Sequence, residues 1–214
     1  MTDPGPAPPA FYPVSLDVTG RACLVVGGGR VAARKAGALL EYGARVTVIA
    51  PSLAPDMEAL TDRLEAVERR AYEAGDAARF RLVVTATGRP DVDGAVHADA
   101  ESARVWVNSA DDRAHSSFIL PAVHRDGAVT VAVSTGGLSP ALSSWLRDRL
   151  ASECGEDLGA LAAMIGEARA ELQRAGRSSN SVDWLALLDG PLLDLVRTGD
   201  WDNARAIVAA AVTE

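Results

Sequence analysis

In the first half of the chain, short apolar runs alternate with stretches in which apolar residues recur every three or four positions. The runs predict strands and the periodic stretches predict helices, since a buried parallel strand is apolar throughout whereas a helix on a sheet is apolar on one side only. The predicted strands are 22–26, 45–49, 66–70, 81–86 and 105–108, and the predicted helices are 31–42, 55–64 and 91–102. This alternation predicts an α/β fold with a doubly wound parallel sheet of the Rossmann type.

The second half of the chain has a different pattern. Residues 128–133 are rich in β-branched side chains and predict one more strand. Ser139 and Pro140 predict the start of a helix, because serine caps helices and proline is favoured at the first helical position. One apolar face of that helix is formed by Leu142, Trp145, Leu146 and Leu150. Helical spacing continues over 158–172, and two short helices are expected after a polar break at 177–181.

Three consecutive glycines, Gly27, Gly28 and Gly29, join the first predicted strand to the first predicted helix. In a motif of the form G-x-G-x-x-A, Gly27 makes the tight turn, Gly29 lets a pyrophosphate approach the backbone, and Ala32 lets the helix pack closely on the strand. A strand before the glycines, a helix after them and a second strand about 20 residues further on complete the required context. The motif therefore predicts a dinucleotide site at the start of the helix.

The end of the second predicted strand leaves the choice between NAD and NADP open. An Asp or Glu there usually binds the ribose 2′-hydroxyl, whereas residues 49–52 of this chain are Ile-Ala-Pro-Ser. Arg30, beside the glycines, suits a phosphate-bearing cofactor but fits a solvated side chain equally well. The small residues Thr85, Ala86 and Thr87 end the fourth predicted strand at the same edge of the sheet, where ligands of this fold bind.

A second cluster of polar side chains follows the fifth predicted strand. Residues 107–121 contain two carboxylates, an arginine, a histidine and three serines. The pair Asp111 and Asp112 fits a turn or a helix cap, which is the commoner role of such residues. At the carboxyl edge of a nucleotide-binding sheet, the pair also supplies a candidate general base beside the cofactor.

Composition narrows the function classes. The chain is 48% hydrophobic and 23% charged with a net charge of −8, so we expect a globular protein without a nucleic-acid surface, which needs a basic face. No apolar run is long enough for a membrane span, and residues 1–10 have neither the basic start nor the apolar core of a signal peptide, so a disordered tail is expected there. The two cysteines, Cys23 and Cys154, lack metal-ligand or redox spacing, which favours the cytoplasm and no resident metal.

Four segments of the chain together resemble precorrin-2 dehydrogenase, the N-terminal half of siroheme synthase and its free-standing relatives. They are residues 24–35, 108–111, 117–121 and 131–140, in that order. The resemblance implies NAD-dependent oxidation of precorrin-2 to sirohydrochlorin and, in some members, insertion of ferrous ion as a second substrate. It also implies a homodimer with an NAD-binding domain at 11–117, a dimerisation segment at 118–150 and a helical domain at 151–214.

The resemblance assigns roles to individual residues. Asp111 matches the aspartate that serves proton removal and metal insertion, and Asp112 is expected to be a cap or a helper. The family's use of NAD favours NAD here. The predicted cofactor site comprises Gly27, Gly28, Gly29, Arg30, Val31, Pro51, Ser52, Thr85, Ala86 and Thr87. The predicted substrate site comprises Asn108, Arg113, His115, Ser116, Phe118 and Thr135.

A substrate with many carboxylates requires local positive charge on this acidic chain. The candidates are Arg113, His115, His124 and Arg147, although His115 fits an ordinary surface histidine equally well. Two other functions stay open. A dinucleotide-sensing module would bind NAD without a base, and another oxidoreductase of this fold would act on a different polyanionic substrate. An Asp111→Ala variant separates an enzyme from a sensing module.

Overall fold

The chain divides into two compact units, Met1–Leu120 and Pro121–Glu214. The computed structural model describes residues 11–110, 112–155 and 157–213. The tail expected at 1–10 and the predicted base Asp111 lie outside the described residues. The first unit contains the glycine turn and the polar loop of residues 108–118, and the second contains Thr135.

The first unit is built on a five-stranded parallel sheet. Its strands are β1 Ala22–Val26, β2 Arg45–Ile49, β3 Ala66–Glu68, β4 Leu82–Thr85 and β5 Trp106–Ser109. Their order across the sheet is β3-β2-β1-β4-β5. The chain therefore winds outward from β1 to β3 and then crosses to β4 on the other side of β1, which confirms the predicted doubly wound fold.

Strand register brings the turns of the candidate site to one edge of the sheet. Val26 at the end of β1 is paired with Ile49 of β2 and with Thr85 of β4. Thr85 is paired in turn with Ser109, the last residue of β5. Because four parallel strands end at the same level, the segments that follow them lie side by side at the carboxyl edge.

Successive strand residues alternate between two buried layers, one on each face of the sheet. The helices of this unit are α1 Arg30–Glu41, α2 Pro55–Glu58 and α3 Pro90–Ser102. Val25 belongs to the layer that includes Ala32 and Ala36 of α1, all fully buried. Leu24 belongs to the opposite layer with Val96 of α3. The small residues of α1 let the helix approach the sheet closely, as predicted for Ala32.

The helix predicted over 55–64 is wrong beyond its first turn. The helix ends at Glu58, and a short 3-10 turn begins at Thr61. The Thr61 hydroxyl donates to the Glu58 carbonyl at 2.8 Å, a local bond through which threonine competes with regular helix. The chain then joins the sheet, where the Glu65 N–H donates to the Val46 carbonyl at 2.9 Å.

The second unit combines a two-stranded antiparallel hairpin with helices. Its elements are β6 Ala122–Asp126, β7 Val129–Val133, α4 Pro140–Cys154, α5 Leu158–Arg174, α6 Trp184–Leu187, α7 Leu193–Arg197 and α8 Trp201–Thr213. β7 was predicted and β6 was not. The expectation of two short closing helices is wrong, because three helices follow the polar break. Pro191, which lacks an N–H, separates α6 from α7. Gly199, with φ +76°, separates α7 from α8.

Both long helices of the second unit begin at identifiable caps. The Ser139 side chain accepts from the Leu142 N–H at 3.2 Å, and Pro140 is the first residue of α4, as predicted. Asp126, at the hairpin turn, accepts from the Gly159 N–H at 2.7 Å and caps α5. Within the part of the chain that the structure describes, no helix is both long and apolar enough to cross a membrane.

Candidate functional site

Two close backbone contacts fix the glycine turn after β1. A Cβ on Gly27 would lie 2.4 Å from the Ala86 carbonyl oxygen, and Gly27 has a φ of +125° that other residues rarely adopt. A Cβ on Gly28 would lie 2.0 Å from the Ser52 carbonyl oxygen. The turn is therefore wedged between the end of β4 and the segment after β2, and it has no room for a side chain at either glycine.

Gly29 differs from the other two glycines, because a Cβ there would meet no heavy atom within 4 Å. The space beside it is open. Gly29 precedes α1. The first turn of α1 lies entirely within the described residues; it contains no acidic residue, and no described side chain caps it. The Ala33 N–H donates to the Gly29 carbonyl at 2.9 Å, so the earlier N–H groups have no partner within the helix. Arg30 and Val31 are exposed beside them. These free amides and the open space fit the pyrophosphate of a dinucleotide.

A pocket of about 430 Å³ opens beside the glycine turn, a volume in the range of small-ligand sites. Six of the predicted cofactor residues line it: Gly27, Gly28, Gly29, Pro51, Ser52 and Thr87. Other lining residues were not predicted, among them Leu53, Ala71, Tyr72, Arg89 and Val92. The additional residues come from the segments after β2, β3 and β4, and most of them are apolar. The pocket therefore offers an apolar wall for a flat ring beside amides for a phosphate.

The wall formed by Tyr72 is held by interactions distant in sequence. The Tyr72 hydroxyl donates to the Asp99 carboxylate on α3 and accepts from the Ala77 N–H at 3.1 Å. Burial raises the pKa of Tyr72 above its usual value. Nearby, the Arg70 guanidinium binds both oxygens of Asp76 at 2.7 and 2.8 Å and thereby lowers the pKa of that carboxyl. No local pattern in the sequence indicated these pairs.

Asp93, which is only 7% exposed, organises the turn after β4. Its carboxylate accepts from the hydroxyls of Thr85 and Thr87, the latter at 2.7 Å. Thr85 is fully buried, and the Ala86 N–H donates to the Val26 carbonyl at 2.9 Å. Thr85 and Ala86 therefore shape this turn, while Thr87 lines the pocket. Sequence reasoning missed Asp93, although an aspartate in the first turn of a helix is an available signal.

Serine side chains attach the polar loop to the outer edge of β5. The Ser117 N–H donates to the Val107 carbonyl at 2.8 Å, and the Ser117 hydroxyl accepts from the Val107 N–H at 2.8 Å. The Ser116 hydroxyl accepts from the Ser109 N–H at 2.9 Å. These bonds satisfy the edge strand in place of a sixth strand. The loop is thereby fixed on both sides of Asp111, which itself lies outside the described residues.

Among the residues of this loop that the structure describes, three polar side-chain atoms are buried without a hydrogen-bond partner: Asn108 Oδ1, Ser109 Oγ and Arg113 Nη2. Asn108 and Ser109 are each only 6% exposed. The Asn108 amide donates to the Phe118 carbonyl at 3.0 Å, which leaves its oxygen unpaired. The guanidinium carbon of Arg113 lies 5.3 Å from the centre of the Phe11 ring. Unpaired buried polar groups are uncommon in folded proteins, and functional sites are one of the places where they persist.

Asp112 and His115 bind each other at 2.8 Å, from Oδ2 to Nδ1. Asp112 also accepts from the Ala114 N–H at 2.8 Å and so caps a 3-10 turn. That N–H, followed by the histidine, holds the pKa of Asp112 below its usual value. The His115 ring meets the His97 ring edge-on at 5.2 Å. Asp112 is therefore a cap, as expected. In the same loop, the side chain of Phe118 packs against the core layer of α1.

The other predicted site residues belong to the second unit. Thr135 accepts from the Ser139 N–H at 3.0 Å, and its hydroxyl lies 3.0 Å from that of Ser143. It therefore stabilises the start of α4. His124 lies on β6, and Arg147 binds the neighbouring Asp148 at 2.7 Å. Within residues 11–110, 112–155 and 157–213, no group of three or more His, Cys, Asp or Glu side chains is placed to hold a metal ion.

Two family models match the chain. The family described as "Putative NAD(P)-binding" matches residues 14–122, just over half of the chain, and "Sirohaem biosynthesis protein central" matches residues 126–153. The first match contains the glycine turn, the pocket and the polar loop. The second contains the hairpin turn, β7 and most of α4.

Curated relatives and a solved structure agree with these matches. Siroheme synthase 2 of Aeromonas hydrophila is 37% identical over 197 residues, 91% of this chain, and siroheme synthase of Chromobacterium violaceum is 38% identical over 200 residues, 92% of this chain. The chain spans only 42% of the length of each. The solved structure of SirC, a precorrin-2 dehydrogenase, matches with a TM-score of 0.72 and 25% identity over 95% of this chain and 99% of that chain.

Proposed function

Since the chain belongs to the NAD(P)-binding family found in siroheme biosynthesis proteins, we propose that it oxidises precorrin-2 to sirohydrochlorin with a nicotinamide dinucleotide as acceptor. The observation that carries the proposal is the dinucleotide turn, wedged at Gly27 and Gly28 and open at Gly29, within a chain that resembles SirC over 95% of its length. The polar loop after β5, at the same edge of the sheet, supplies groups for chemistry that a sensing module does not need.

The residues of the first unit divide the binding of the cofactor among them. The amides at the start of α1 hold the pyrophosphate, with Arg30 and Val31 beside it. Pro51, Ser52 and Thr87 line the pocket. Pro51 and Ser52 would hold the adenosine end, and Thr87 would close the pocket on the side of β4. We take NAD as the acceptor, in keeping with the family resemblance. The bound dinucleotide supplies the two-electron acceptor of the reaction.

Proton removal falls to Asp111 in this proposal. The neighbouring Asp112 is a poor base, because one of its oxygens accepts from the Ala114 N–H, the other binds His115, and its pKa is lowered as a result. A carboxylate that takes protons near neutral pH needs a raised pKa instead. Asp111 matches the family's catalytic aspartate, and we assign it this role.

The carboxylates of precorrin-2 require cations and hydrogen-bond donors at the mouth of the site. Arg113, a partly exposed cation of the polar loop, is the donor we assign first. His115 and Asn108 lie in the same loop, and Ser116 and Phe118 hold that loop in place. Ferrous ion would enter this site as a second substrate.

We extend the proposal to a homodimer in the cytoplasm. Leu138, Leu142 and Trp145 are 69%, 46% and 59% exposed on and beside the first turns of α4. Exposed apolar groups that adjoin in this way are typical of protein interfaces. A second copy of the chain is the partner that the resemblance implies.

The buried thiol of Cys23, which is free, is in keeping with a reducing compartment such as the cytoplasm.

An anaerobic assay with enzymatically made precorrin-2 and NAD tests the function. We expect the wild type and Asp112→Ala to form NADH together with the sirohydrochlorin spectrum, and Asp111→Ala to bind NAD without turnover. Ferrous ion added afterwards tests for metal insertion above the uncatalysed rate. If NAD and NADP both bind and neither supports oxidation, the protein is a sensing module. If Asp111→Ala is as active as the wild type, the assignment of the base is wrong.

A further inference from the structure

We propose that Arg89 allows the dinucleotide pocket to bind a 2′-phosphate, so that the protein accepts NADP as well as NAD. This inference rests on the cofactor site of the proposed function and adds a residue that determines its specificity. It goes against the simple expectation of an NAD-only enzyme, and it follows from the charges that line the pocket.

Among the described residues, the lining of the pocket contains no carboxylate. Proteins that select NAD over NADP generally place an Asp or Glu at the end of the second strand, where it binds the 2′-hydroxyl and repels a 2′-phosphate. In this chain Ala50, Pro51 and Ser52 follow β2 and line the pocket there. The repulsive group is absent from this lining, and the Ser52 hydroxyl is able to donate to a phosphate as well as to a ribose.

In the described part of that lining, Arg89 is the charged side chain. Arg69 and Arg70, in the segment after β3, are not among the residues that line the pocket, and both are paired with carboxylates. Arg69 binds both oxygens of Glu58 at 2.7 and 2.9 Å, and Arg70 is held by Glu68 and Asp76. A guanidinium fits a phosphate with two parallel hydrogen bonds, and NADP-binding proteins commonly have an arginine near the 2′-position.

The backbone of Arg89 is anchored, whereas its side chain is exposed and paired with an exposed carboxylate. The Arg89 N–H donates to the Thr87 hydroxyl at 3.0 Å, and Thr87 is bound by the buried Asp93. The side chain itself is 69% exposed and binds Asp91, 67% exposed, at 2.7 Å. An exposed ion pair of this kind contributes little stability, so a phosphate in the pocket competes with Asp91 for the guanidinium at small cost. Asp91 thus lowers the affinity of Arg89 for a 2′-phosphate.

Two nucleotide fragments test the inference by calorimetry. They are adenosine 2′,5′-bisphosphate and AMP, which differ only in the 2′-phosphate. We expect the wild type to bind the bisphosphate at least as tightly as AMP. The ratio of the two affinities should fall about tenfold in Arg89→Ala, because hydrogen bonds to charged groups are of that strength. It should rise in Asp91→Asn, which releases Arg89, and stay unchanged in Arg69→Ala, a matched arginine outside the pocket.

The ratio should also fall as salt is raised, since exposed charges are screened. Binding of AMP with exclusion of the bisphosphate, or an affinity ratio that Arg89→Ala leaves unchanged, would overturn this inference and leave the proposed function standing. Failure of both fragments to bind would instead overturn the dinucleotide site, and with it both proposals.

Discussion

Replacing Gly29 by alanine is expected to weaken cofactor binding while leaving the fold intact. Gly29 has φ −82° and ψ 178°, which alanine adopts freely, and a Cβ there would meet no heavy atom within 4 Å. Alanine lowers the entropy of the unfolded chain, which adds about 0.4–1 kcal/mol of stability. As an N-cap, alanine is less favourable than glycine by roughly a similar amount. The free energy of unfolding should therefore change by less than about 1 kcal/mol.

This substitution should instead weaken the binding of the cofactor. The added methyl group occupies the space through which the pyrophosphate approaches the amides of α1. An extra methyl group in a tightly packed contact costs about 1–3 kcal/mol, which weakens binding by roughly 5- to 150-fold. We therefore expect Gly29→Ala to raise the Kd for NAD by that factor.

Gly28→Ala provides the matched control. Its Cβ would lie 2.0 Å from the oxygen and 3.0 Å from the carbon of the Ser52 carbonyl. Both atoms belong to the backbone and cannot rotate away. Overpacking of this kind costs about 1–3 kcal/mol, and in a chain of this size each kcal/mol lowers Tm by roughly 2–4 °C. Gly28→Ala should therefore be measurably less stable than both the wild type and Gly29→Ala.

Thermal unfolding followed by fluorescence and calorimetric titration with NAD on the three proteins separate the two effects. We expect Gly29→Ala to keep the wild-type Tm and lose affinity, and Gly28→Ala to lose Tm. The reasoning would be refuted if Gly29→Ala bound NAD like the wild type, or if Gly28→Ala were as stable as the wild type.

Three further expectations concern the residues that support the two units. Asp93→Ala leaves two threonine hydroxyls of the turn after β4 without their acceptor and should lower the free energy of unfolding in urea by about 1–3 kcal/mol. The Arg70 guanidinium holds the pKa of Asp76 below its usual 3.8. This pair therefore stabilises the fold above that pH, and the stabilisation is lost as the pH falls through the depressed pKa. The Tm of the wild type should fall more steeply in acid than that of Asp76→Asn. Asp126→Ala removes the cap of Gly159 and should cost about 1 kcal/mol, seen as faster hydrogen exchange in the first turn of α5.

Each of these expectations has a contrary result. An Asp93→Ala protein with unchanged urea stability would mean that the turn is held by other groups. Parallel acid profiles for the wild type and Asp76→Asn would remove the ion pair from the acid response. Unchanged exchange at the start of α5 would show that the Asp126 cap is dispensable.

The parts of the fold that were predictable are those whose cause is local. The apolar run of β1, the three glycines and the small residues of α1 follow one another within 15 residues, and each constrains the next. The same holds for the Ser139 and Pro140 signal at the start of α4. β6 was missed although Gly127, with φ +52° in a two-residue turn, is a hairpin signal. The helix over 55–64 was overextended because the bond of Thr61 to a carbonyl three residues earlier ended it.

The candidate site was only partly predictable, because much of it depends on contacts between distant segments. The pairing of Tyr72 with Asp99 joins residues 27 positions apart. The steric need for glycine at position 28 comes from the Ser52 carbonyl, which no local motif reveals. Arg89 became a candidate only when the structure placed it in the lining of the pocket. The role of Asp111 stays a prediction that only the activity of its variants can test.

The most direct test of the central claim is the stoichiometry of a single anaerobic conversion. The wild-type protein is mixed with a known amount of precorrin-2 and excess NAD, and the NADH and sirohydrochlorin formed are measured from the absorbance spectrum. The account predicts one NADH for each sirohydrochlorin, at a rate that depends on the protein concentration. Bound NAD with no NADH formed, or sirohydrochlorin that appears at the same rate without the protein, would contradict it.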